Sequence, residues 1–148
     1  MIIAIGSDHG GFELKEYLKK YLDKKGVKYK DFGTFSTESC DYPDFGSKVG
    51  AAVGYGDFEK GLLICTTGIG MSIVANKYCG VRAALCYNVD SAKYSRGHND
   101  SNILVLGAKY VKKGLAKKIL AAFLETDFEA GRHERRVNKI RNIEDRVL

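Results

Sequence analysis

The chain has 148 residues, with 24 Lys+Arg against 18 Asp+Glu, 17 Gly, one Pro, four Cys and no Trp. A chain of that length suits one domain and buries roughly 68–70% of its unfolded surface, so disorder is excluded and no metal or disulfide staple is required. Hydrophobic content of 45% beside 28% charged residues is ordinary, and no run nears the ~18 apolar residues that span a bilayer, so no membrane role is expected.

The opening Met1-Ile2-Ile3-Ala4-Ile5-Gly6 reads as a first strand, Ile2–Ile5, rather than a secretory signal. Leu14, Tyr17, Leu18, Tyr21 and Leu22 then recur at helical spacing, and Gly26 supplies a left-handed stop. Val27–Phe32 is the second strand. Pro43 follows Asp41 where a first helical turn accepts it, and Phe45, Val49, Ala52 and Val53 mark one face of a second helix. Leu62–Cys65, Val81–Cys86 and Ile103–Leu106 complete five strands, with helices expected over 70–79, 88–96 and 109–124. This alternation predicts an α/β domain over 1–148, a parallel sheet covered by helices on both faces. A last helix over 132–142 has little apolar content beyond Val137 and Ile140, so it is expected to pack on another surface such as a partner subunit.

Cys40, Cys65, Cys79 and Cys86 form no Cys-x-x-Cys pair, so reduced thiols in the cytoplasm are expected. Charge is uneven: residues 1–74 carry 9 basic and 10 acidic side chains, residues 75–148 carry 15 and 8. The C-terminal half therefore attracts anions. The lysines of 109–118 lie among Val111, Leu115 and Ile119 as on an amphipathic helix, so no nucleic-acid partner is inferred from them.

In an open parallel sheet ligands bind outside the carboxyl ends of the strands. Three loops stand out: Gly6-Ser7-Asp8-His9-Gly10-Gly11, the Cys65-to-Ser72 loop, and Ser95-Arg96-Gly97-His98-Asn99-Asp100 before strand five. All three are expected to meet at one crevice. The loop after Cys65 lacks the third small residue of the dinucleotide fingerprint, since Ile73 stands there, and it lacks the Gly-Lys-Ser/Thr ending of a nucleotide phosphate loop. What remains is a run of small residues entering a helix, whose amides can hold an anion.

Cys65 stands immediately before those amides, where the helix dipole favours a thiolate able to act as base or nucleophile. A phosphatase-type nucleophile would want arginine six positions on, where Met71 stands, which favours proton abstraction; a small buried hydrophobe ending a strand is the plainer alternative. Asp8 can cap the first helix and still serve a site. His98, in a polar loop, suits acid/base work. His9, His98 and His133 are too scattered for a metal site, and none is expected. Arg132 and Arg136, four apart with His133 beside them, suit a dianion clamp, a solvated basic face being the alternative.

Ser7 to Lys15, Asp41-Tyr42-Pro43-Asp44, Cys65 to Asn76, Arg82 to Cys86, His98-Asn99-Asp100 and Gly131 to Arg136, in this order and spacing, closely resemble the type B ribose-5-phosphate isomerases. Galactose-6-phosphate isomerase subunits and enzymes acting on allose 6-phosphate belong to the wider family. The resemblance implies a Rossmann-like three-layer αβα sandwich with a five-stranded sheet. It further implies a homodimer or dimer of dimers with shared active sites, no cofactor, and a step in the pentose phosphate pathway. By position, Cys65 matches the base that moves a proton between C1 and C2, and the backbone of Thr66, Thr67, Gly68, Ile69 and Gly70 matches the hole for the enediolate, Thr67 assisting by its hydroxyl. Asp8 and His9 match substrate contacts, and His98 with Asn99 matches the group that opens the furanose ring from the neighbouring subunit. Arg132, His133 and Arg136 match phosphate-binding positions. Thr66 replaces a usual glycine, Lys109 a frequent phosphate-binding arginine, and Gly97 a bulkier residue. The expected reaction is ribose 5-phosphate to ribulose 5-phosphate. The alternatives are a six-carbon sugar-phosphate isomerase and a non-catalytic nucleotide- or nucleic-acid-binding module.

Overall fold

Five strands, β1 (Ile2–Ser7), β2 (Lys28–Asp31), β3 (Lys60–Cys65), β4 (Ala83–Leu85) and β5 (Ile103–Gly107), form one parallel sheet in the order β2-β1-β3-β5-β4. Six helices alternate with them: α1 (Phe12–Lys24), α2 (Tyr42–Gly54), α3 (Ile69–Ala75), α4 (Val89–Gly97), α5 (Lys113–Glu125) and α6 (Arg132–Val147). The computed structural model describes residues 1–147; Leu148, the last residue of the expected domain, lies outside them.

The two-residue period of the central strands sorts the core. Ile3, Ile5, Leu62, Ile64, Leu104 and Leu106 point to one face, where Leu14, Leu18 and Leu22 of α1, Ala92 of α4 and Ala116, Ile119 and Phe123 of α5 cover them. Ala4, Leu63, Cys65, Ile103 and Val105 point to the other, against Val49, Ala52 and Val53 of α2 and Met71 and Ala75 of α3. Each fully buried Leu or Ile contributes about 1.5–3 kcal/mol, so the apolar runs read as strands are held by both layers. Gly26 ends the α1 segment as expected, at φ +68.

Two boundaries move for identifiable reasons. α5 starts at Lys113, not 109, because the amides of Ala108 and Lys109 donate to the carbonyls of Cys65 and Thr66, both at 2.9 Å. The chain is still bound to β3 there and cannot coil. α6 runs to Val147, five residues past the expected end at 142. Its Val137 is buried and its Glu144 carboxylate accepts from the Gly80 amide at 3.0 Å, while Ile140 and Ile143 stay exposed.

Lys15 is fully buried, an unusual place for an ammonium. Its Nζ donates to both Asp31 oxygens at 2.7 and 2.6 Å and to the Thr34 carbonyl at 2.7 Å. This fastens the loop after β2 to the end of β1, where the Ser7 amide donates to Gly33 and the Thr34 amide to Ser7, one residue before Asp8. Burial opposes ionisation of Asp31, yet hydrogen bonds from Lys15, the Gly33 amide and Lys19 outweigh it and hold the carboxyl below its ordinary value. A carboxyl lowered on folding contributes stability above its unfolded pKa, about 3.9, and that contribution is lost as pH falls through the folded value. Denaturant titrations are therefore expected to show stability declining below about pH 4. In Asp31→Asn that acid-limb component should vanish, with a loss of about 3–5 kcal/mol at neutral pH because the Lys15 charge is left without its counter-ion. A loss under about 1 kcal/mol would contradict this role for the pair.

Candidate active site

Cys65 ends β3 at the carboxyl edge, only 5% exposed on the α2/α3 face. Its Sγ accepts a hydrogen bond from the Gly68 amide at 3.1 Å. That bond strengthens when the sulfur carries charge. The turn that aims the amide requires glycine: Gly68 has φ +79, and a Cβ there would stand 2.4 Å from Leu85 Cδ1 and 3.0 Å from the Leu106 carbonyl carbon. Thr66 is not at positive φ, so the threonine in place of the family's usual glycine is unstrained there. The Ile69 amide donates to Thr67 Oγ1 at 3.2 Å. Two of the amides expected to form an anion hole are thus engaged within the chain, and a bound oxyanion would take over such bonds.

The β1 loop meets this turn directly. A Cβ on Gly10 would stand 2.2 Å from Thr66 Oγ1, so glycine permits the two loops to touch. Asp8 is buried, and its Oδ1 accepts from the Gly11 amide at 3.0 Å. It therefore fastens the turn before α1 and does not cap the helix as expected, because the N-cap is Gly11, which has no side chain to bond the first-turn amides. His9 Nδ1 accepts from the Cys40 amide at 3.2 Å, which leaves the proton of the neutral ring on Nε2, free to donate to a hydroxyl. Lys109 belongs to the same edge: its amide donates to the Thr66 carbonyl, and its side chain lines an open cleft of about 500 Å³ together with Gly10, Glu13, Thr66, Lys112 and Lys113.

His98, Asn99, Arg132, His133 and Arg136 do not join this crevice within one chain. Residues 98–102 lead into β5, whose Ile103 pairs with Gly61 while Gly107 pairs with Cys65. Four register steps, about 13 Å of strand, separate the two edges. The expectation that all three loops share one crevice is corrected accordingly, because α4 returns the chain to the amino edge before β5 begins.

At that amino edge the expectation of scattered histidines also fails. The His98 and His133 rings stack at 4.1 Å between centroids, 10° from parallel. Their Nε2 atoms lie 3.7 and 3.5 Å from the same Glu129 oxygen. Sequence reasoning missed Glu129, whose only signal is its place four residues before His133. Gly97 makes room for it: a Cβ there would stand 2.9 Å from Glu129 Oε1, and the Gly97 carbonyl accepts the Glu129 amide at 3.0 Å. Burial first, then the charges of His98 and Arg132, holds His133 below the usual histidine value. Asp100 anchors the loop, its carboxylate bridging Arg82 and Arg96 at 3.0 Å each. The Asn99 carbonyl accepts from Arg82 Nε at 3.1 Å. Arg132 and Arg136 are exposed.

A parallel sheet covered on both faces, with an amide-bonded thiol, a histidine and two lysine-bearing or glycine turns at its carboxyl edge, has the build of an α/β enzyme for a small anionic substrate. A sequence-family model described as Ribose/Galactose Isomerase matches residues 3–140. The chain is 47% identical over 144 residues to ribose-5-phosphate isomerase B of Escherichia coli, covering 97% of each. It is 40% identical over 139 residues to a D-erythrulose-4-phosphate isomerase of Pectobacterium atrosepticum, covering 93% of this chain and 91% of that one. The solved structure of Clostridium thermocellum ribose-5-phosphate isomerase B superposes with a TM-score of 0.98 at 50% identity, over 100% of both chains. The chain belongs to the ribose/galactose isomerase family.

Proposed function

We propose that this chain interconverts ribose 5-phosphate and ribulose 5-phosphate by a cofactor-free enediolate mechanism, at sites that two copies build together in the cytoplasm. The observation that carries the reading is the Cys65 sulfur held by the Gly68 amide, in a chain that is similar end to end to a ribose-5-phosphate isomerase B. His98 of a second copy opens the furanose. The Cys65 thiolate then takes the C2 proton of the open aldose, and the electron pair forms a C1–C2 double bond with charge on O1. Returning the proton from the Cys65 thiol to C1, while the O2 proton passes to O1, gives the ketose and restores the thiolate. Backbone amides of Thr66 to Gly70 and the Thr67 hydroxyl stabilise the enediolate, a donor of this kind being worth about 2.7–4 kcal/mol.

Asp8 and His9 orient the sugar hydroxyls, and Lys109 adds a point charge where a bidentate arginine is common. Arg132, His133 and Arg136 grip the phosphate, supplying remote binding energy that fixes the reacting carbons. These three sit beside His98, so they come from the copy that opens the ring. The exposed Ile140 and Ile143 of α6 are the surface proposed to meet a second copy. A six-carbon preference is the second reading, favoured by the galactose in the family's description. Coupled assays with chelator present are expected to give a higher kcat/KM on ribose 5-phosphate than on allose 6-phosphate or galactose 6-phosphate. The reverse order would move the substrate class, and no turnover of any of them would overturn the function.

A further inference from the structure

We propose that His98, Glu129 and His133 form a binding site for one divalent transition-metal ion of the zinc–nickel class, and that its occupancy blocks the isomerase site. Their donor atoms, two imidazole nitrogens and a carboxylate oxygen, all lie within 4.8 Å of one another. Two imidazoles and a carboxylate leave a fourth position open on a tetrahedral ion and suit borderline metals over Mg²⁺ or Ca²⁺, which prefer all-oxygen sets. The neighbouring Arg132 and Arg136 repel every dication alike, so strong bonds to the two imidazole nitrogens are needed to offset them.

Bonds of about 2.0–2.2 Å to each donor require the set to close. The parts that must move are the free ones: the side chains of His98 and Glu129 are 34% and 59% exposed, while that of His133 is 9% exposed and held in place. His98 has to tilt out of its stack on His133 so that both ring planes point at the ion. The loops that carry the donors are already fastened, by the Glu129 amide on the Gly97 carbonyl at 3.0 Å and by Asp100 on Arg82 and Arg96. An ion there withdraws the proposed ring-opening group and one phosphate contact together. This inhibitory half of the inference rests on the function proposed above, whereas the binding half does not.

The test separates them. Ni²⁺ is titrated by calorimetry into the Cys65→Ala protein, which removes the thiol as a competing ligand, and Co²⁺ is followed by its visible absorption. One ion per chain is expected, with affinity falling at least roughly 10–100-fold, the scale of losing even an outer-shell partner, in Glu129→Gln and in His133→Asn. Glu129 is exposed, so its variant keeps the result interpretable if the buried His133 variant misfolds. In the Cys65-containing protein, Zn²⁺ should inhibit ribose 5-phosphate turnover competitively and reversibly with chelator, and Glu129→Gln should blunt that inhibition. Absence of stoichiometric binding, or binding that survives Glu129→Gln undiminished, overturns the site. Binding without any isomerase activity in the metal-free protein would instead sink the function and leave the site standing.

Discussion

Cys65→Ala is expected to lower kcat on ribose 5-phosphate by about 10²–10⁴-fold, the range supplied by a positioned general base, with KM nearly unchanged. The split follows from where the interactions sit. In the proposed site the sulfur meets the reacting carbons, whereas the phosphate grip is assigned to Lys109 and to the arginines of α6, which the substitution does not touch. A mutation that removes an interaction made only in the transition state lowers kcat and kcat/KM together. The fold should survive, because alanine in the Cys65 position leaves the alternate face of β3 intact. The Gly68 amide, however, loses its acceptor, at a cost of about 1–3 kcal/mol. Steady-state kinetics beside a thermal melt separate the two effects. Activity within tenfold of the parent in a folded Cys65→Ala protein would remove Cys65 from the base role.

A one-to-one mixture of Cys65→Ala and His98→Asn chains, dissociated and reassociated, should recover about a quarter of parental activity from two nearly inactive parents. Half of the randomly formed dimers are hybrids, and each hybrid holds one site with both groups intact and one with neither. The expectation comes from topology: Cys65 closes β3 at one edge, and the His98 loop enters β5 at the other. No single chain brings them together. Native mass spectrometry verifies that hybrids form. Hybrids present without recovered turnover would show that the two groups do not complete one site across an interface.

Local rules carried far into the fold. The two-residue alternation of Ile3, Ala4 and Ile5, the helical spacing of Leu14, Leu18 and Leu22, and the stop at Gly26 are each readable within a few residues, because backbone geometry sets those periods. Boundaries set by partners distant in sequence were not readable. The start of α5 depends on amides of 108 and 109 bonding to Cys65 and Thr66, more than forty positions earlier. The full length of α6 likewise depends on the contact from Glu144 to Gly80.

The candidate site divides in the same way. Cys65, its small-residue loop and the parallel α/β class were determined by the sequence itself, since each rests on residue chemistry and short-range spacing. Tertiary structure alone decided that the Gly68 amide holds the sulfur, that Cys40 directs the His9 ring, and that His98 and His133 stack over Glu129 on the far edge of the sheet. The reason is physical: such contacts arise where chain crossings close, and the sense in which α4 and α6 return across the sheet fixes which edge a side chain reaches.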